Sequence, residues 1–299
     1  MTGHLTAGDI LPISAGVETA YGTPNNTQVY YADVKGDSGS ITITDNPNPY
    51  VAWRSGDRSF AYNDLVAQQK LAGFKDVLEV RDVSGWDTIL TQALGTASGT
   101  QALGKLPSRT VQIGVTGGSG LKYIGCKTDE LVVKGEAPGA VVSFEETVMA
   151  SWSVPISGAV DTGVAVNWYA LQWVGPVLVG SDPIYPQSFE LRIKNNLDRV
   201  LAYDSTKGGS YTAALPEGRR EIELNLEVWR EDLQDIFDSC VVTTESDIQL
   251  TLGTAVPKNI TLTDVAYMSD GNISPLVQDK QRTTLRFRAT GISVATPSP

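Results

Sequence analysis

The chain has 299 residues, 41% hydrophobic and 19% charged, and carries a formal net charge of −11 at pH 7. That acidity excludes a general nucleic-acid binder, whose affinity comes from Lys and Arg displacing counterions from phosphates. The length suits two ordinary domains with their own cores, and 29 Gly with 15 Pro favour a mainly β fold over long helices.

The opening MTGHLTAG lacks the charged start and apolar stretch of a secretory signal, so folding in the cytoplasm of the cell that makes it is expected. The stretch from Trp168 to Gly180 is too short and too broken by Gly and Pro to span a bilayer, and no membrane role follows. Gly36-Asp37-Ser38-Gly39 matches the sequence around the nucleophile of chymotrypsin-like proteases. The only histidine, His4, lies in an N-terminal tail, so Ser38 lacks a base and these residues read as a turn. No other constellation supports an enzyme, a cofactor or a metal site.

Next comes a strand, an Asx-rich turn and a second strand over ITITDNPNPYVAW (41–53), then a long loop over 54–76. GWDTILTQALG (85–95) has the apolar spacing of a short amphipathic helix, and TVQIGV (110–115) alternates like a half-buried strand. The Gly-rich VTGGSGLK (115–122) lacks phosphate-loop spacing and reads as a hairpin connection. VVSFEETV (141–148) is a further strand.

The same order then recurs. LRIKNNLDRVLAY (191–203) lies over 41–53, with Ile193 on Ile43 and Asn196 on Asn46; a second long loop follows over 204–220. VWREDLQDIFD (228–238) repeats the helix, DIQLTL (247–252) the alternating strand, and TLRFRATG (284–291) the last strand, with Phe287 on Phe144. Two tandem mainly β units, each with one short flanking helix, are therefore expected. The boundaries run 1–35 for an N-terminal arm and first strand and 36–150 for the first unit. A connector with the second unit's first strand takes 151–182, and the second unit takes 183–299.

Cys126 and Cys240 stand far apart in no CxxC pair and read as ordinary buried thiols. In EIELNLEVW (221–229), Ile222, Leu224, Leu226 and Val228 point to one face while Glu221, Glu223 and Glu227 point to the other, an acidic strip facing either solvent or an enclosed passage. The last strands of the two units differ in sign: Glu145 and Glu146 stand in the first, Arg286 and Arg288 in the second. Units alternating around a ring would use that difference as a charge contact.

The segments SAGVETAYGTP (14–24), YIGCKTDELVVKGEAPGAVVSFEETV (123–148) and SFELRIKNNLDRV (188–200) resemble the tail tube (major tail) proteins of long-tailed bacteriophages and related archaeal viruses. The resemblance implies that each of the two tandem units is a β-sandwich or barrel with one short flanking helix, and that the chain is a structural virion protein, made in the host cytoplasm, whose rings stack into the hollow tail tube that delivers genomic DNA. Rings of six such domains imply a pseudo-sixfold trimer for a two-unit chain. Implied partners are further copies of the chain, the tape measure protein and DNA in the lumen, and the tail terminator and tail tip proteins. Glu221, Glu223 and Glu227 become lumen candidates. Arg58, Phe60 and Tyr62 in the first long loop, and Lys207, Tyr211 and Arg219 in the second, become ring-stacking candidates with the N-terminal arm. The alternative is a tandem β-sandwich binding module, a carbohydrate-binding adhesin or other tail-tip protein, in which Trp53, Trp168 and Trp173 would be exposed.

Overall fold

The computed structural model describes residues 13–34, 41–43, 46–51, 65–79, 83–96, 99–100, 106–115, 119–157, 172–207, 209–229, 246–253, 257–268 and 282–295. The fold is mainly β, with every strand pairing antiparallel and one α-helix among the described residues.

In the first half the strands are β1 (Ile13–Val17), β2 (Val29–Val34), β3 (Thr42–Ile43), β4 (Asn46–Val51), β5 (Leu65–Glu79), β6 (Gly99–Thr100), β7 (Arg109–Val115), β8 (Ser119–Gly135), β9 (Ser143–Ala150) and β10 (Trp152–Ser157). Pairing runs β7 to β8, β8 to β9, β9 to β5, β5 to β2, β2 to β1 and β1 back to β7. This closed circuit is a barrel, which leaves its member strands without a free edge within the circuit. Ile13, Tyr31, Phe74, Leu78, Val111, Tyr123 and Phe144 are buried in it.

The helix, α1 (Val83–Leu94), buries Trp86, Ile89, Leu90, Ala93 and Leu94 on one stripe, and the Trp86 ring sits 5.1 Å from that of Phe144. Gly95, at φ 83°, ends it by donating its N–H to the Thr91 carbonyl, a left-handed cap that only glycine adopts without strain.

The second half holds β11 (Val177–Val179), β12 (Asp182–Ile184), β13 (Ser188–Lys194), β14 (Val200–Asp204), β15 (Gly209–Ala214), β16 (Glu221–Trp229), β17 (Ser246–Leu252), β18 (Lys258–Tyr267) and β19 (Arg282–Ala295). Its pairing order β17-β18-β19-β16-β13 reproduces β7-β8-β9-β5-β3. β11 pairs with β17 and β12 as β1 does with β7 and β2. Phe144 lies opposite Leu78, and Phe287 opposite Leu224. Of the helix expected over 228–238, Val228 and Trp229 instead end strand β16, and the remainder lies outside the described residues.

The halves share one sheet. The N-terminal part of β8 is flanked by β7 and β10, and its C-terminal part by β9 and β13, so β13 joins directly to the first barrel. β6 adds a second link by pairing with Ser293 and Val294 of β19.

Both long loops need correction. Residues 65–76 of the first belong to β5, which pairs with β4 and β9. Residues 204–220 of the second contain β15, which folds back on β14 as a hairpin. β5 escapes a reading by alternation because Ala72, Gly73 and Phe74 are buried in succession, between the barrel interior and this hairpin.

Candidate assembly surfaces

Alternation in β16 aims Ile222, Leu224, Leu226 and Val228 inward, each at most 1% exposed. Glu221, Glu223 and Glu227 thus fall on the outer face of the shared sheet. The strip is not acidic in its surroundings. Register sets Glu145, Val132, Arg192, Glu223 and Arg288 side by side across five strands, and Glu130, Lys194 and Glu221 beside them in the next row. Signs alternate along each row.

The contacts follow. Arg288 Nη2 donates to Glu223 Oε1 at 2.6 Å, Lys134 Nζ to Glu145 Oε1 at 2.5 Å, and Lys75 Nζ lies 3.8 Å from Glu145. The hydrogen bond from Lys134 holds the Glu145 carboxyl below the usual carboxylate range, and that with Glu223 raises the Arg288 guanidinium. Across the junction of the halves, Lys134 meets Glu190 at 3.6 Å and Arg192 meets Glu130 at 3.4 Å. Sequence reading singled out Glu145, Glu146, Arg286 and Arg288 for contacts between units; Glu145 and Arg288 pair within their own halves, and the pairs that cross the junction involve Lys134, Glu130, Glu190 and Arg192, which it missed. Arg286, opposite Asn225, is exposed on the same face.

Glu146 is enclosed in the first barrel rather than offered to a neighbour. It accepts hydrogen bonds from Arg109 Nη2 at 2.7 Å, from the Tyr31 hydroxyl at 2.5 Å and from Thr128 Oγ1. Arg109 is fully buried, its guanidinium 4.5 Å from the Tyr31 ring centroid. Asp76 stands opposite Glu146 on β5, fully buried and with no side-chain donor to either carboxyl oxygen. Burial first, then the Glu146 charge, pushes its pKa well above the ordinary value. One guanidinium therefore shares this interior with two carboxyl groups, of which Asp76 is the one that burial drives toward its neutral form.

The β14-β15 hairpin is clamped to the first barrel. Thr212 N donates to Ser151 O at 3.0 Å, Ser151 Oγ and the Tyr21 hydroxyl donate to Thr212 O, and Arg199 Nη2 reaches Ala72 O at 2.9 Å. Lys207 and Tyr211 lie in this hairpin region, where Lys207 Nζ sits 3.9 Å from the Tyr211 ring centroid and 5.7 Å from that of Trp152. Arg219 is exposed, and its carbonyl accepts from Asn196 Nδ2 at 2.8 Å. Arg58, Phe60, Tyr62, residues 1–12 of the N-terminal arm, Ser38, Trp53, Trp168 and Cys240 lie outside the described residues. Cys126 is a buried free thiol raised by that burial. Trp173 is 1% exposed, edge-on to Phe189 at 5.1 Å, and so does not offer its ring to a ligand.

Among the described residues no group of acidic, His and Cys side chains is placed to hold a metal, and no helix is long and apolar enough to cross a membrane. The fold and its charged face define a mainly β protein organised around an extended antiparallel sheet. The family model for phage tail tube proteins matches residues 11–289, and the chain belongs to that family. No curated protein matches the chain.

Proposed function

We propose that three chains close into a pseudo-sixfold ring, that rings stack into the viral tail tube, and that genomic DNA passes through the lumen. Membership of the tail tube family supports assembly into a tube. The observation that carries the trimer is the strand order found twice in one chain, joined edge to edge through β8 and β13. On this reading the two halves are tandem tube domains, and three chains supply the six units of a ring.

The outer face of the shared sheet, with Glu221, Glu223 and Glu227, is assigned to the lumen. Lys134, Arg192 and Arg288 on this face each pair with a neighbouring carboxylate, which lowers the number of cations that could release counterions from a passing duplex. Weak interaction lets DNA slide. The tape measure protein would occupy the same channel before ejection, with terminator and tip proteins at the tube ends.

Negative-stain electron microscopy of concentrated protein, with light scattering to count chains, tests the reading. Hollow rings or tubes with three chains per ring are expected. Six chains per ring would remove the two-unit reading, and a protein that remains monomeric when seeded with tail tips would remove the tube.

A further inference from the structure

One buried residue places all of its polar atoms on the seam between the halves. Asn195 follows β13 directly and is 1% exposed. Its N–H donates to Asp129 O at 2.7 Å, and its carbonyl accepts from Gly218 N at 3.1 Å. Nδ2 donates to Thr128 O at 3.0 Å and to Ala93 O at 3.1 Å, while Oδ1 accepts from Arg220 Nε at 2.8 Å. A short side chain with two N–H donors and one carbonyl acceptor is asparagine alone; an ionised aspartate has no donor, and alanine has neither donor nor acceptor.

The partners sit where the first barrel bends. β8 carries a bulge between Thr128 and Glu130 that leaves Asp129 outside the ladder with β9. Around the same point the flank of β8 passes from β7, whose Arg109 lies opposite Cys126, to β13, whose Lys194 lies opposite Glu130. Asn195 takes the Thr128 and Asp129 carbonyls, and Asp129 Oδ1 accepts from Leu197 N at 2.8 Å. Ala93 lies in the last turn of α1, where carbonyls have no partner within the helix, and the second half supplies its donor.

A strand pair fixes the relation of the halves poorly by itself. Neighbouring strands rotate against one another by anything from roughly 10 to 35°, and a bulge adds to the twist. A ring closes at only one rotation between successive units. Other ties hold the halves together, among them the Lys258–Asp87 ion pair at 2.9 Å. Asn195 stands at the bend itself, bonded at once to β8, to α1 and to the segment that leads into β16.

We infer that Asn195 is a positioning residue: it sets the rotation of the second half against the first, and through it the number of units that close a ring, before a second chain is met. The inference rests on the tube reading above.

Two full-length variants test it. Asn195→Ala removes the side-chain bonds, and Arg220→Met leaves Asn195 in place while removing one donor to it. Residual dipolar couplings of the dilute, unassembled chain report how the halves are oriented, and mass photometry of assembled rings counts the chains. Wild type is expected to fit one alignment tensor across both halves and to give one ring count. Each variant is expected to show a changed or broadened orientation, with rings of more than one count and open arcs. Val111→Ala, inside the first barrel and opposite Tyr123, controls for lost stability and should keep the wild-type count at lower yield. Unchanged couplings in both variants overturn the inference, as do a wild-type ring count from both or mixed counts from Val111→Ala. A wild type that forms no ring overturns the tube reading and the ring-setting role with it, whereas the couplings still decide whether Asn195 sets the rotation.

Discussion

Arg109 and Glu146 meet at 2.7 Å with both side chains fully shielded from water. A buried pair of this kind stabilises little in total but is costly to break, because the surviving partner keeps its charge without compensation. Glu146 also ends the hydrogen bonds of Tyr31 and Thr128, so its loss orphans three donors. Arg109→Met and Glu146→Gln are each expected to lower stability by about 3–5 kcal/mol. The double variant should lose clearly less than the sum, and urea denaturation of all four proteins in a double-mutant cycle measures the difference.

Asp76 has the opposite sign. Its folded pKa is raised, so it stabilises fully only below the unfolded carboxyl pKa and loses that contribution as pH rises through the folded value. At neutral pH it is a burden relative to a neutral isostere. Asp76→Asn should therefore raise the melting temperature at pH 7, by an amount equivalent to about 1–3 kcal/mol. The gain should shrink towards pH 4; a gain that grows on acidification would show that Asp76 is ionised in the native barrel.

These buried charges left a trace in the sequence that reading by residue type overlooked. Arg109 is in phase with Val111 and Ile113, Glu146 with Phe144 and Val148, and Asp76 with Phe74 and Leu78, all buried. A charge on the apolar phase of a strand marks an interior partner, and three such charges on β5, β7 and β9 predict one another. β16 was legible because its inner and outer positions alternate cleanly. The junction was not, since β13 gains its second neighbour, β8, from more than fifty residues upstream, and alternation says nothing about which strand lies alongside.

Glu145 gives the surface counterpart. The Lys134 hydrogen bond lowers its folded pKa, so its contribution is present above the unfolded carboxyl pKa and is lost as pH falls through the folded value. The group is mostly solvated, and the effect belongs with exposed pairs, roughly 0.2–1 kcal/mol at low salt. Glu145→Gln should flatten the acid limb of a melting series slightly in low salt and leave it unchanged in 1 M salt. An equally large effect at both ionic strengths would mean that Glu145 acts through packing and not through charge.

Gly135 controls how closely the two halves join. It pairs with Phe189 at the end of the β8-β13 ladder, and a Cβ placed there would lie 2.3 Å from Phe189 Cε1. Phe189 has no room to yield, being 3% exposed and packed edge-on against Trp173. Gly135→Ala must therefore shift the aromatic pair or spread the strands, at a cost of about 1–3 kcal/mol. The damage should concentrate at the junction, so hydrogen exchange should quicken at the amides of Leu191 and Ile193 while β1, β2 and β7 of the first barrel keep their protection. Uniform loss across the chain would instead mean that the halves unfold as a single cooperative body, and the junction would then be part of the core and not a seam between two units.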